Sequence, residues 1–415
     1  MAMVERCMAR GSTTSIEALA AGHPHRWMML GAVWLLYLCF GLTSASLAPL
    51  VGPITKDLGV GHAAMGVVFG AWQLVYIISA APGGAAMDRI GPRKTLFFAG
   101  LMIAASGIFR AYADTYGIFL VAVAVFGLGG PLVSVGAPKV IALWFDSKDR
   151  AFAMGIYITG PSLGAITSLA ITNPLLMPLF DHDWRAVLLF YAVITAVATA
   201  IWLLISSHAE ARRVEAGLRS APREPQLLVW KELLTLPTVR LMLIMSVGIF
   251  FLNHGLNNWL PTLLRDKGLP ATSADLWAMI PTAVGVAGSL IIPRLATRER
   301  RYFILLALLL SALTATVLMH LSPGIGLATG LTLQGIARSS LMTVAILILV
   351  EMPEIGARRA GAASGLFFSA AEIGGVTGPL ALGAISEMSG GLGSALWLLS
   401  GIIILLIFLT TRLTR

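Results

Sequence analysis

The chain has 415 residues, of which 57% are hydrophobic and 12% are charged, and its formal net charge is +9 at pH 7. Soluble domains carry about 25% charged residues, and the mean hydropathy here is +0.85. These values exclude a soluble globular protein, because the chain has too few polar residues to cover a surface in water. The composition predicts an all-α integral membrane protein.

Twelve apolar segments are long enough to cross the ~30 Å hydrocarbon core of a bilayer as helices. They lack the alternation of barrel strands, and only helices and closed barrels satisfy their backbone groups in lipid. A polar segment divides the twelve into two groups of six. The predicted spans are 27–50, 63–86, 95–112, 117–144, 151–175, 185–207, 239–264, 273–294, 302–321, 324–350, 360–386 and 394–411.

The parts of the chain outside the spans are small. Residues 1–26 have no continuous apolar core, so they are not expected to form a cleavable signal peptide. Cys7 and Cys39 have neither disulfide-framework nor metal-ligand spacing, and no cofactor or metal is expected. The predicted units are a tail at 1–26, a bundle at 27–207, a linker at 208–238, a bundle at 239–411 and an end at 412–415.

The distribution of basic residues predicts the orientation in the membrane. With the N-terminus inside, 22 Lys and Arg residues fall in inner segments and 4 in outer segments. Cytoplasmic loops carry such an excess, so both termini are expected in the cytoplasm. The net positive charge is therefore explained by topology, and no nucleic-acid partner is expected.

The loop GGAAMDRIGPRK (83–94), between the second and third spans, resembles the signature G-x-x-x-D-R-x-G-x-R-K of the major facilitator superfamily. The resemblance implies a transporter of two six-helix bundles, in which this loop is a cytoplasmic latch between moving helices. The alternative is that its cations only set the topology. The matching residues are Gly84, Asp88, Arg89, Gly91, Arg93 and Lys94.

A narrower resemblance is to the cyanate permease-like branch of that superfamily, which includes nitroimidazole exporters. Nitrate is disfavoured, because the second and eighth spans lack the arginines of nitrate transporters. The fourth span also lacks an arginine that many proton-coupled relatives carry. The strings that carry this resemblance are GIFR (107–110), WFDSKDRAFAMGIY (144–157), NHGLNNWLP (253–261), LQGIARSSLM (333–342) and AAEIGGVTGP (370–379).

The fifth span contains GIYITGPSLG (155–164), which partly resembles the antiporter motif G-x-x-x-G-P-x-x-G-G. The spacing departs from the motif, since Gly155 precedes Gly160 by five residues and Ala165 replaces the last glycine. Close helix packing with a kink at Pro161 is one interpretation. Efflux of drugs is the other.

Several polar side chains in the spans are candidate solute ligands. His254, Asn257 and Asn258 in the seventh span have i, i+3, i+4 spacing and share one helical face. Gln73 and Tyr76 in the second span are further hydrogen-bonding candidates. For all of these, hydrogen bonding between helices is the alternative role.

Three cations lie within the spans: Arg110, Lys139 and Arg338. Arg110 lies near the outer end of the third span and either pairs with Asp114, four residues later, or attracts anions. Lys139 is close enough to the inner end of its span for its side chain to reach the membrane surface, and a role as a cavity ligand is the alternative. Glu372 is the one obvious anion within the spans.

Arg338 and Glu372 lie near the middle of spans ten and eleven. A charge there costs at least about 2.5–3.5 kcal/mol, and such residues normally face a bundle interior or a water-filled path. Gln334 shares a helical face with Arg338, and the two suit a carboxylate. Glu372 is a candidate proton carrier together with His254, or it neutralises Arg338.

The sequence therefore predicts a secondary transporter of the bacterial inner membrane. It is expected to be a monomer among membrane lipids that moves a small anion, a monocarboxylate or a cyanate-like ion, with proton symport. Drug efflux is the alternative. A membrane-embedded enzyme would need convergent catalytic groups, and a sensor would need a signalling domain; the sequence offers neither.

Overall fold

The computed structural model describes residues 23–145, 147–218, 226–296, 299–350, 352 and 355–413, and within some helices it describes the backbone alone. Twelve helices of 18 residues or more lie in this part of the chain. They are α1 (His25–Ala45), α2 (His62–Ile90), α3 (Pro92–Ala111), α4 (Tyr116–Trp144), α5 (Ser147–Ile171), α6 (Trp184–Ser206), α7 (Pro237–Asp266), α8 (Ala271–Leu295), α9 (Arg301–Leu318), α10 (Ile325–Val350), α11 (Gly356–Ser389) and α12 (Gly393–Leu413).

The predicted all-helical membrane fold is confirmed. Over their described residues, all of these helices except α8 are long and apolar enough to cross a membrane. The helix bounds agree with the predicted spans to within five residues. Shorter pieces, which the sequence did not predict, are a 3₁₀ turn at Ala48–Leu50, helices at Val51–Leu58, Met177–Leu179, Ala209–Leu218 and Gln226–Thr235, and a π-helical turn at Thr172–Leu176.

The helices form two sets, α1–α6 and α7–α12, with the same pairing pattern. In the first set α1 packs on α4, α5 and α6, and in the second α7 packs on α10, α11 and α12. Likewise α2 packs on α4 as α8 packs on α10, and α3 packs on α6 as α9 packs on α12. The sets meet mainly through α2 with α11 and α5 with α8. This is the arrangement of two parallel repeats.

Small residues let the helices within each set approach closely. A Cβ atom on Gly164 of α5 would overlap the carbonyl oxygen of Leu38 on α1. A Cβ atom on Gly378 of α11 would lie 2.5 Å from the carbonyl oxygen of Phe251 on α7. Backbones this close exclude any larger side chain. Close packing therefore accounts for Gly160 and Gly164 of the fifth-span motif, whereas a Cβ atom on Gly155 would meet nothing within 4 Å.

A buried polar network joins the two sets at one end. We call the end of the bundle where α1 finishes and α2 begins the distal end. There Asp275 of α8, which is fully buried, accepts from Arg265 of α7 at 2.9 Å and from Asn173 beyond α5. Asn173 and Arg265 both donate to the carbonyl oxygen of Pro49, at 3.1 and 2.9 Å. These contacts tie α7 and α8 to the segments that follow α1 and α5.

A second distal contact joins α2 to α11. The His62 ring Nδ1 lies 2.8 Å from the Ser386 hydroxyl, and the backbone N–H of Ala63 donates to Glu387 Oε2 at 2.8 Å. A Cβ atom on Gly383 would also meet the α2 backbone. The two sets are therefore in contact on both sides of the distal end.

Asp275→Asn should destabilise the protein, because it leaves the Arg265 cation without its buried partner. Losing one member of a buried pair costs about 3–5 kcal/mol, and we expect the low end because the Arg265 side chain is 20% exposed. Thermal unfolding in detergent measures the effect. Asp57→Asn, which breaks the exposed Asp57–Arg185 pair within one set, should cost at most about 1 kcal/mol. Equal effects of the two substitutions would contradict the conclusion that the Asp275–Arg265 pair stabilises the protein more than the exposed pair does.

Candidate functional site

Arg338 lies where α7, α8 and α10 meet, and neutral side chains hold it. Its Nη1 donates to the side-chain oxygens of Asn257 at 2.6 Å and Asn253 at 3.4 Å. Its Nη2 donates to the Thr282 hydroxyl at 3.0 Å. Among the described residues no carboxylate lies within ion-pair distance of Arg338. The guanidinium is thus oriented without being neutralised.

This arrangement can bind an anion. The three contacts of Arg338 use three of the five N–H donors of a guanidinium, so two remain for a ligand. Gln334, one turn earlier on α10, is 4% exposed, and its Oε1 has no partner among the described residues. Gln334, Arg338 and Asn253 line a narrow crevice with apolar side chains of α7, α9, α10 and α12.

Glu372 lies in a different cluster, where α2, α7 and α11 meet. Three side chains surround the α-carbon of Gly375 on α11. A Cβ atom added there would lie 2.5 Å from Glu372 Oε2, 3.2 Å from Gln73 Cγ and 3.4 Å from His254 Cδ2. Gln73 Nε2 is 3.4 Å from His254 Nδ1. Within the described part of the chain, Glu372 Oε2 and Gln73 Oε1 have no hydrogen-bond partner. Three groups that can bind a proton or a hydrogen-bond donor therefore converge at the boundary between the two sets.

The predicted polar face of α7 is divided between these clusters. Asn253 and Asn257 face Arg338, whereas His254 faces Gln73 on α2. Asn258 is buried beside them at 5% exposure. Successive residues of a helix point about 100° apart, which places the two clusters on adjacent faces of α7. The structure shows no ion pair between Arg338 and Glu372, so the sequence-based alternative that they neutralise each other is wrong.

The first set contributes a group of aromatic side chains near these clusters. Tyr37 of α1 stacks on Tyr157 of α5, with ring centroids 5.6 Å apart. Tyr76 of α2 lies beside Trp72, and both Tyr37 and Tyr76 interact with Ser134 of α4. The Trp72 ring contacts His254 at 5.8 Å between centroids. Aromatic rings and hydroxyl groups from the first set therefore reach the polar cluster that contains Glu372.

Arg110 lies away from both clusters, inside the first set. It is 1% exposed, its Nη1 donates to the carbonyl oxygen of Thr43 at 3.2 Å, and its guanidinium carbon is 5.5 Å from the Phe126 ring centroid. Asp114 is exposed and forms no ion pair with it in the described structure. The predicted local pair is wrong, because the side chain of Arg110 turns inward to α1 and α4. Lys139 is half-buried on α4.

The signature loop joins α2 to α3 through a single residue. Gly91 has φ 87°, a conformation that strongly favours glycine, and Pro92 begins α3. The carbonyl oxygen of Arg93 accepts from the Trp202 ring N–H at 3.0 Å, and Lys94 is exposed. The side-chain surroundings of Gly84, Asp88 and Arg89 lie outside the described residues.

Sequence reasoning missed two side chains that the structure makes important. Asp275 is a second buried anion of the spans, which corrects the view that Glu372 stands alone. Its position close to the start of a span gave it the pattern of a surface residue. Thr282 is a ligand of Arg338, and a lone threonine in an apolar segment gives no signal of that role.

Comparison with known proteins agrees with this fold. The Major Facilitator Superfamily family model matches residues 33–323. The probable galactarate/D-glucarate transporter of Escherichia coli is 22% identical over 293 residues, which cover 62% of this chain and 64% of that protein. The chain thus spans slightly less than two thirds of that relative. The hexuronate transporter of Bacillus subtilis is 24% identical over 382 residues, covering 87% of this chain and 88% of that protein.

The fold is also similar to a solved structure. The crystal structure of the nucleoside transporter NupG superposes with a TM-score of 0.78 at 15% sequence identity. The superposition covers 94% of this chain and 100% of that one. At this identity the likeness concerns the fold alone. Together with the family match, it shows that the chain has the multi-helix membrane fold of the Major Facilitator Superfamily and belongs to that family.

Proposed function

We propose that the chain transports a small organic carboxylate across the bacterial inner membrane by alternating access of the sets α1–α6 and α7–α12. The observation that carries the proposal is Arg338, a cation at mid-span held only by neutral side chains. Its planar guanidinium can form two parallel charge-assisted hydrogen bonds to a carboxylate. A bound anion supplies the charge that the surrounding protein does not.

The solute we propose is a hydroxylated carboxylate of the sugar-acid class. The neighbourhood of Arg338 offers the amides Asn253, Asn257 and Gln334, which can accept from or donate to hydroxyl groups. The names of the relatives, which include transporters of galactarate, D-glucarate and hexuronate, support this class. A cyanate-like ion, suggested by the branch resemblance of the sequence, stays a prediction and would use fewer of these groups.

Transport is proposed to be coupled to protons through Glu372, with His254 beside it. The support is the burial of the carboxyl group, at 5% exposure, and its unpartnered oxygen. The separation of Glu372 from Arg338 leaves the carboxylate free to change its protonation while the arginine holds the solute.

The excess of basic residues places the distal end outside the cell in this proposal. With 22 Lys and Arg residues on one side and 4 on the other, both termini are cytoplasmic. The distal contacts of α5 with α8 and of α2 with α11 then close the outer side. The solute would exchange with the cytoplasm in this conformation, and the outer contacts must separate to admit it from outside.

Arg338→Lys should weaken solute binding at least about tenfold, or 1.4 kcal/mol, because lysine keeps the charge and loses the planar fork. Arg338→Ala should abolish binding. Thermal-shift titration of purified protein with glucarate, galactonate and a hexuronate measures this, since a bound ligand stabilises the native state. Arg185→Lys, a matched change of the distal arginine paired with Asp57, should leave binding unchanged. Unaltered uptake by well-expressed Arg338→Ala would rule out this site.

Glu372→Gln should abolish accumulation driven by a proton gradient and leave solute counterflow intact. Counterflow needs no net proton movement, whereas accumulation does. Uptake and counterflow in proteoliposomes measure the two separately. Asp114→Asn, which changes an exposed carboxylate, is the control and should affect neither. Accumulation that persists in Glu372→Gln would transfer the coupling role to another group.

Asp88→Asn should slow transport with little change in solute affinity. The signature loop lies at the end of α2, more than ten residues from Gln73, so it is placed to control exchange between conformations and not binding. Transport rate in proteoliposomes and affinity in detergent, measured on the same variant, test this. Loss of affinity at an unchanged rate would contradict the proposed latch.

A further inference from the structure

Two buried oxygen atoms from opposite sets of helices lack partners at the same place. Glu372 of α11 is 5% exposed and Gln73 of α2 is fully buried. Among the described residues, Glu372 Oε2 and Gln73 Oε1 have no hydrogen-bond donor. Both side chains converge on Gly375, whose Cβ atom would lie 2.5 Å from Glu372 Oε2 and 3.2 Å from Gln73 Cγ.

These two oxygens cannot satisfy each other while Glu372 is ionised. A carboxylate oxygen and an amide oxygen only accept hydrogen bonds. A buried acceptor without a donor destabilises the structure, and a charged one does so more strongly. A protonated carboxyl group has an O–H that donates. One proton on Glu372 therefore removes a buried charge and supplies the donor that Gln73 lacks.

We propose that a proton shared between Glu372 and Gln73 holds α2 and α11 together and thereby favours closure of the distal end, with Gln73 as the positioning residue. The inference rests on the proposed function, in which Glu372 is the proton site. It adds that the site is made by both sets of helices and is complete only when they meet. Proton binding and closure of the distal end are then two aspects of one event.

The side chains around the carboxyl group fit this role. His254 of α7 accepts from Gln73 Nε2 at 3.4 Å, which leaves Gln73 Oε1 available to Glu372. Tyr76, on the next turn of α2, is close enough to Glu372 to interact with it electrostatically, as Arg338 of α10 is with His254. Two further elements pack against α11, namely α12 and the helix Gln226–Thr235. Their titratable residues are Arg412, Lys231 and Glu232, which lie toward the end of α11 opposite Ser389.

The same two helices carry a distal contact, which links the proton site to closure. The N–H of Ala63 on α2 donates to Glu387 on α11, ten residues before Gln73 and fifteen after Glu372. Separation of α2 from α11 at the distal end would also remove Gln73 from Glu372. The proton is then bound more tightly in the closed state, and by linkage its binding favours that state.

Double electron–electron resonance, which measures the distance between two spin labels, tests the link between proton binding and distal closure without any solute. Lys56 and Met388 are exposed at the distal ends of the two sets, so both can be labelled as cysteines in a Cys7→Ala, Cys39→Ala background. In the wild type the short-distance population should dominate at acidic pH. Its ratio to the long-distance population should fall at least about tenfold at alkaline pH.

Glu372→Gln should show, at every pH, the ratio of short to long distances that the wild type has at acidic pH, because the new amide donates to Gln73 at all pH values. Gln73→Leu should lose most of the pH dependence, and it serves as the second test if Glu372→Gln does not fold. Glu387→Gln is the control, because it changes a carboxylate of the distal contact and leaves Glu372 and Gln73 in place. It should keep the wild-type dependence of the distance ratio on pH. A pH-independent wild type, or unchanged pH dependence in Glu372→Gln, would overturn the proposal and leave solute binding at Arg338 untouched.

Discussion

The exclusion of water from the bilayer interior governs the rest of this structure. Each polar group inside must find its partner within the protein, which is why the spans are helices. Hydroxyl groups follow the same constraint, and Thr195 and Thr199 donate to carbonyl oxygens one turn earlier on α6. Asp275 meets it through Arg265 and Asn173. Among the buried polar atoms of the described residues that lack a partner, Gln73 Oε1, Gln334 Oε1 and Glu372 Oε2 lie where solute and proton binding are proposed.

The scaffold is symmetric, whereas the site is not. Both sets of helices use the same pairing pattern and glycine-mediated contacts, α5 against α1 and α11 against α7. The side chains to which solute and proton binding are assigned, Arg338, Glu372 and His254, all come from the second set. The first set contributes Gln73, Tyr76 and other aromatic residues. Relative motion of the sets therefore changes the surroundings of the charges without moving them relative to one another.

The contacts between the sets differ in strength on the two sides of the distal end. Between α5 and α8 the buried carboxylate of Asp275, which is paired with Arg265 of α7, also accepts from Asn173 of the first set. Between α2 and α11 the contacts are a hydrogen bond between His62 and Ser386 and one from the backbone N–H of Ala63 to Glu387. A buried ion pair depends on exact geometry, because its desolvation cost is large. The α2–α11 side, which also holds Glu372 and Gln73, is the side on which the proposed proton acts.

Sequence alone determined the membrane class, the spans, their two groups of six and the candidate polar side chains, because hydropathy, charge and the signature loop are local patterns. It singled out Arg338 and Glu372 because each breaks an apolar segment. It did not determine their partners. Only the tertiary structure placed Asn257 and Thr282 on Arg338, turned His254 toward Gln73, and kept Glu372 from Arg338. These contacts depend on the rotation of each helix about its axis and on which helices are neighbours, and packing over the whole bundle sets both.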